Sequence, residues 1–92
     1  MIYEWGEAKN RRNFAKHGLD FNDAEQVFAG PCVTFEDSRF DYGEERLITL
    51  GLLAGRVVII AHAPRREGTR IISMRKANRR EQETYHKRLG EA

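Results

Sequence analysis

The sequence has few of the features that membrane, secreted or metal-binding proteins require. Its longest apolar run, residues 57–61, is far shorter than the roughly 18–20 residues that span a bilayer. The N-terminal residues lack the basic flank and apolar segment of a secretory signal, and the single cysteine, Cys32, cannot form a disulfide within the chain. The three histidines are scattered, and no Cys/His cluster has zinc spacing. We therefore expect a cytoplasmic protein with no membrane contact, no metal and no cofactor.

Large folds and nucleotide-binding loops are excluded as well. The chain of 92 residues, 40% of them hydrophobic, has room for a single domain over residues 1–92 with a modest core. It contains no Walker glycine loop, no GxGxxG motif and no GxSxG motif. Charged residues make up 33% of the chain, but both signs are mixed, so we expect a folded chain rather than a disordered one.

Positive charge is concentrated in the last part of the chain. Residues 56–92 carry ten basic and four acidic side chains, whereas residues 31–55 carry two basic and five acidic ones. Most of these basic residues are arginines, whose planar guanidinium suits phosphate better than the ammonium of lysine does. The asymmetry points to a polyanionic partner, nucleic acid first, although by composition alone a solvated charged surface is the simpler interpretation.

The residue pattern predicts an α+β fold in the order β-α-α-β-β-β-β-α. Capping-box spacing at Asn22/Glu25 and Asn78/Glu81 marks two helix starts, and Gly18 marks one helix end. Short links between the middle strands imply antiparallel neighbours, hence a meander with two N-terminal helices and one C-terminal helix. The predicted strands are residues 2–5, 33–36, 45–53, 56–63 and 69–75, and the predicted helices are residues 7–17, 22–29 and 78–89.

The sheet centre is apolar on both faces, so both faces need cover. The last helix offers only Tyr85 and Leu89 as large apolar groups, too few for a firmly packed helix. We therefore expect it to be an exposed surface or a docking element, with the first two helices and loops covering the sheet as the alternative.

One end of the predicted sheet collects groups that could cleave RNA. If residues 64–68 form the loop between the predicted strands 56–63 and 69–75, His62 lies directly opposite Arg70. The strand that starts with Glu45 and Arg46 begins at the same end of the sheet. A two-residue turn at 54–55 would pair His62 with Leu47 and bring Glu45 to its side, whereas a three-residue turn would bring Arg46.

Metal-free RNA cleavage uses the 2′-hydroxyl as nucleophile and needs a proton acceptor, a proton donor and phosphate-stabilising cations. Histidine suits the proton transfers, and arginines suit the phosphate. The candidate catalytic residues are Glu45, Arg46, His62, Arg70 and Arg75. The plain alternative is that His62 is a strand-end histidine bonded to a neighbour and Arg70 a surface residue.

The first helix carries a second candidate surface. Lys9, Asn13, Lys16 and His17 fall within an arc of about 100° on a helical projection, giving a largely basic stripe. A solvated face, with Lys16 and His17 interacting favourably with the helix dipole, explains the stripe equally simply.

The whole pattern resembles the BrnT toxins of bacterial toxin–antitoxin systems. The matching segments run in order along nearly the whole chain: Trp5 with residues 7–9, Asn13-x-x-Lys16-His17-Gly18, Phe21, Ala24-x-x-Val27-Phe28, Asp37, residues 43–46, Gly51, His62, residues 70–77, Arg80-Glu81 and Tyr85. The KHG segment and the RIISMRKA segment are the most specific. Gly6 departs from the acidic N-cap usual in the family, and Ala63-Pro64-Arg65 departs after His62.

The resemblance implies a RelE-like fold and a metal-independent endoribonuclease that inhibits translation. It further implies neutralisation by a BrnA-type antitoxin, a ribbon-helix-helix protein through which alone the complex would contact promoter DNA. It assigns function to Glu45, Arg46, His62, Arg70 and Arg75 and RNA binding to Lys9, Lys16, His17 and Tyr85; Lys76, in the RIISMRKA segment, is a further RNA-binding candidate. The alternatives are a non-catalytic nucleic-acid-binding module and a purely regulatory interaction protein.

Overall fold

The computed structural model describes residues 2–90. Its elements are β1 (Ile2–Glu4), α1 (Glu7–His17), a 3-10 turn (Phe21–Asp23), α2 (Ala24–Ala29), β2 (Cys32–Glu36), β3 (Leu47–Leu53), β4 (Arg56–Arg65), β5 (Gly68–Lys76) and α3 (Arg79–Gly90). The α+β class predicted from the sequence is confirmed.

The five strands form one mixed sheet in the order β1-β5-β4-β3-β2. Strands β2 to β5 pair antiparallel in succession, so the predicted meander is confirmed. Strand β1 then pairs in parallel with β5, placing Glu4 beside Arg70. Gly68 permits this pairing, because a Cβ at that position would collide with the carbonyl of Ile2.

Helix α1 contains few apolar residues and is held instead by two buried asparagines. Asn13 donates to the Met74 carbonyl at 2.9 Å and accepts from the Met74 amide at 3.2 Å, which ties the helix to β5. Asn10 accepts from the Phe21 amide at 2.9 Å and so holds the chain after the helix. Gly18 closes α1 with a φ of 71° and an N–H bond to the Phe14 carbonyl, as predicted.

The two predicted capping boxes have different outcomes. At α3 the box is confirmed, because the Asn78 amide donates to Glu81 and the Glu81 amide donates to the Asn78 side chain, both at 2.8 Å. At α2 the prediction is wrong: Asp20 accepts from the Asn22 amide at 2.9 Å and starts a 3-10 turn that precedes the helix. An aspartate two residues earlier competes successfully for the same amide.

Two cores lie on opposite faces of the sheet. The 3-10 turn and helix α2 cover one face, and the core there consists of Phe21, Ala24, Val27, Val58, Ile60, Ile71 and Met74. Helix α3 covers β2 and β3 on the other face, where Tyr85 is 1% exposed among Leu50, Val57 and Ile59. The expectation that α3 is an exposed or docking element is therefore corrected, because one buried tyrosine whose hydroxyl donates to the Pro31 carbonyl at 2.8 Å fixes the helix.

The registers settle the alternatives left open by the sequence. The β3–β4 turn has two residues, Ala54 and Gly55, both with positive φ, and it pairs Leu47 with His62. The β4–β5 turn also has two residues, since β4 continues through Pro64 to Arg65. His62 therefore pairs with Ile71 and not with Arg70, so that prediction is wrong. Pro64 is tolerated because β3 ends its pairing at His62, which leaves β4 with a free edge beyond it.

Candidate functional site

Two arginines flank a small residue at one end of the sheet. Ala63 pairs with Arg70, and Leu47 pairs with His62, so Arg46 stands on the other side of Ala63. The Asp37 amide donates to the Arg46 carbonyl at 2.8 Å, which extends the ladder to this row. Because neighbouring strands are about 4.8 Å apart, the Arg46 and Arg70 backbones are about 10 Å apart and their side chains start from the same face.

The same face carries a third candidate further along β5. Pairing of Ala61 with Ser73 and of Ile59 with Arg75 places Arg75 on the face of Arg70, beyond a bulge in β5. Small side chains lie between these arginines, and we call this surface the arginine face; its residues are Arg46, Ala61, Ala63, Arg70, Ser73 and Arg75. At about 3.3 Å per residue, Arg70 and Arg75 are about 15 Å apart, far enough to contact different phosphates of one strand.

Lys9 joins this end of the sheet from α1. Burial lowers the pKa of Lys9, and the nearby positive charges of Arg70, Arg46 and Arg12 lower it further. We call Lys9, Arg12, Arg46 and Arg70 the cationic cluster. Within residues 2–90, none of the four forms an ion pair with a carboxylate. Positive charge thus surrounds Lys9, and a bound anion would stabilise this arrangement.

A loop of residues 37–46 positions Arg46. Its guanidinium carbon lies 4.0 Å from the centroid of the Tyr42 ring, and its buried Nε has no hydrogen-bond partner in the described chain. The Tyr42 hydroxyl donates to Asp37 at 3.0 Å, and Arg39 binds the same carboxylate through two bonds of 2.9 and 3.0 Å. The pKa of Asp37 is lowered to about 2, and the side-chain hydrogen bonds from Arg39 are the largest cause. A fully ionised, buried Asp37 therefore holds the ring against which Arg46 rests.

Glu45 lies at the mouth of the site, outside β3. It is exposed, borders an open cleft together with Tyr42 and Arg46, and has no side-chain partner among the described residues. Its neighbour Glu44 instead binds Arg65 at 3.2 Å, which anchors the loop to the end of β4. Glu45 is thus an exposed carboxylate without a side-chain partner in the described chain, next to Arg46 of the cationic cluster in the sequence.

Arg75 differs from Arg46 and Arg70, on the same face, because its charge is matched by a carboxylate. It donates twice to Glu81, at 2.8 Å each, and this pair raises the pKa of Arg75 and lowers that of Glu81. Arg39, Arg75 and Arg80 line a cleft of about 290 Å³ whose apolar wall includes Leu50 and Ile59. Arg75 therefore lies on the arginine face but outside the cationic cluster.

His62 lies on the opposite face of the sheet and is 6% exposed. Its Nε2 is 2.7 Å from the Thr49 hydroxyl, which is itself 2.7 Å from the Thr34 hydroxyl. Its ring and that of Phe28 pack edge to face, with a distance of 5.0 Å between the ring centroids. Burial lowers the pKa of His62 to about 4, so it is neutral near pH 7. His62 therefore does not lie opposite Arg70, and the simpler alternative, a histidine bonded to its neighbour, fits this position.

The other RNA-binding candidates are dispersed. Lys16 and His17 lie at the end of α1, about 10 Å along the helix axis from Lys9. Lys76 pairs with Val58, at the opposite end of the sheet from Arg70. Tyr85 is a core residue.

Four residues of this region could not be identified from the sequence: Arg12, Arg39, Phe40 and Tyr42. Asp37 and Asp41 with Gly43 indicated only a loop, and the pattern gave no sign that Tyr42 lies against Arg46 or that Phe40 lies against Tyr42. An available signal was the aromatic pair Phe40-x-Tyr42 in a polar loop next to arginines.

Comparison with known protein families gives a match over most of the chain. No helix in residues 2–90 is long and apolar enough to cross a membrane, and no group of three or more His, Cys, Asp or Glu side chains in that range could hold a metal ion. No curated protein matches the chain significantly. Residues 5–81 match the family model described as the ribonuclease toxin, BrnT, of type II toxin–antitoxin systems. Because that match covers most of its length, the chain belongs to the BrnT family of ribonuclease toxins.

Proposed function

We propose that the chain is an endoribonuclease that needs no metal and cleaves RNA at the cationic cluster. The observation that carries the proposal is the meeting of Lys9, Arg46 and Arg70 from three separate segments at one sheet end, with no carboxylate paired to any of them in the described chain. Side-chain cations placed around a phosphate stabilise the charge that builds on it during cleavage. The Arg46 Nε without a partner is one donor available for that purpose.

The proposed step uses the RNA's own 2′-oxygen. That oxygen bonds to the adjacent phosphorus and loses its proton to Glu45, while the bond from phosphorus to the 5′-oxygen breaks. Lys9 gives a proton to the departing 5′-oxygen, so the products are a 2′,3′-cyclic phosphate and a 5′-hydroxyl. The lowered pKa of Lys9 supports this role, because an ammonium with a pKa nearer neutrality is a better proton donor.

The wider biology is proposed on the strength of family membership. The toxin would inhibit translation in the cytoplasm by cutting RNA, and a BrnA-type ribbon-helix-helix antitoxin would neutralise it and bring the complex to promoter DNA. The three helices and five-strand sheet are compatible with the RelE-like fold that the resemblance implies.

Cleavage of labelled RNA by the purified chain in EDTA tests the proposal. Arg46→Gln and Arg70→Gln are each expected to lower the rate by about 100-fold or more, since each removes a phosphate-stabilising donor. Arg88→Gln, an exposed arginine at the end of α3, is the matched control and should cut at the wild-type rate. Cleavage only with added metal would contradict metal independence. Salt-sensitive RNA binding without products would instead identify a non-catalytic binding module.

A further inference from the structure

The loop that positions Arg46 also exposes an aromatic ring to solvent. Phe40 is 67% exposed, an unusual state for a phenylalanine, and it is not packed into either core. Its ring meets that of Tyr42 edge to face at a centroid distance of 5.8 Å. The Arg39 guanidinium carbon lies 5.9 Å from the Phe40 centroid. Phe40 is thus held in place by neighbours yet left open to solvent.

This ring is connected by direct contacts to the proposed phosphate site. Phe40 contacts Tyr42, Tyr42 contacts Arg46, and Arg46 belongs to the cationic cluster. Asp37 fixes the segment through Arg39 and the Tyr42 hydroxyl, so the ring is presented on an ordered loop. Proteins that bind single-stranded nucleic acid combine these two parts, a cationic track for the backbone and aromatic faces for the bases.

We propose that Phe40 stacks on an unpaired base of the RNA whose phosphate contacts Arg46 and Arg70, and that this contact selects single-stranded over double-stranded RNA. The inference rests on the proposed function for the site of the phosphate and extends it to the substrate class. A base within a duplex is already stacked on both sides and cannot reach an aromatic side chain, whereas a loop or single strand offers its faces freely.

Fluorescence anisotropy with RNA that cannot be cut tests the inference. A labelled oligonucleotide with 2′-O-methyl groups lacks the attacking hydroxyl, and it is used alone and annealed to its complement. Phe40→Ala is expected to weaken single-strand binding by about 10-fold or more and to leave duplex binding unchanged, since stacking is worth about 1–3 kcal/mol per base. Phe40→Trp is expected to restore single-strand binding. Phe14→Ala is the matched control, because Phe14 is 55% exposed on α1 and has no place in the site.

The outcomes separate this inference from the proposed function. If Arg46→Gln abolishes single-strand binding while Phe40→Ala binds as wild type does, the stacking role is refuted and the phosphate site stands. Equal losses on single strand and duplex also refute the stacking role. If the wild-type chain neither binds nor cleaves single-stranded RNA, both fail. Thermal unfolding of Phe40→Ala at the wild-type temperature confirms that the loop change leaves the fold intact.

Discussion

Burial of His62 makes the stability of the fold depend on pH in a defined direction. The pKa of His62 is about 4 in the folded chain, against about 6.5 for an unperturbed histidine, because the buried ring loses the hydration of its charged form. Between those two values the unfolded chain binds the proton more readily than the folded chain does. The free energy of unfolding therefore falls as the pH falls through this window, and the contribution stops changing below about 4.

The size of the effect follows from the same two values. The full loss at low pH is about 3 kcal/mol, and about 2 kcal/mol of it occurs between pH 7 and pH 5. For a chain of this size that is a decrease in melting temperature of about 10 °C. Urea unfolding at pH 7 and pH 5 measures it directly.

Substitution separates His62 from every other titrating group. His62→Gln places an amide near the position of Nε2, so a hydrogen bond to Thr49 remains possible without a titrating ring. This variant is expected to lose about 2 kcal/mol less than wild type between the two pH values. His86→Gln is the matched control, since His86 is exposed, and it should keep the wild-type dependence. Parallel pH dependence in wild type and His62→Gln would refute the assignment of a buried, neutral histidine.

Two further predictions concern how the helices are held. Glu81→Gln should lower the free energy of unfolding by about 1–2 kcal/mol, because it weakens both the N-terminal cap of α3 and the ion pair with Arg75. Glu83→Gln, on the exposed face of the same helix, is the control and should lower the free energy of unfolding by about 0.5 kcal/mol or less. Equal losses for the two variants in urea unfolding would contradict this prediction. Asn13→Ala should lower the free energy of unfolding by about 2–4 kcal/mol, since it removes the side-chain partner of the buried Met74 amide and carbonyl of β5. If the variant unfolds at the same urea concentration as wild type, these two backbone groups have found other partners and the prediction is wrong.

The sequence was most informative where one residue's chemistry determines the local structure. Gly18 at a helix end and the Asn78–Glu81 box each act within a few residues, so they could be predicted without tertiary information. The antiparallel meander followed from short links in the same way. The collection of Arg46 and Arg70 at one sheet end was also predictable, because alternate strands of a meander reverse direction.

Long-range contacts and strand ends are not determined by local sequence patterns, so they could not be predicted. The expectation that Pro64 would begin a loop placed His62 opposite Arg70, whereas β4 continues and His62 turns to the other face. A helix with almost no apolar residues gave no sign that Asn13 would anchor it to a strand 61 residues away. Nor could composition show that a single Tyr85 suffices to pack α3 against the sheet.

The carboxylate of Glu81 has two partners: it accepts the Asn78 amide at the start of α3, and it binds the Arg75 guanidinium on the sheet. An incoming anion that attracts Arg75 must compete with the helix for that arginine. Occupation of this arginine would thus be transmitted to the backbone of the C-terminal helix, where faster amide hydrogen exchange in its opening turn would report it.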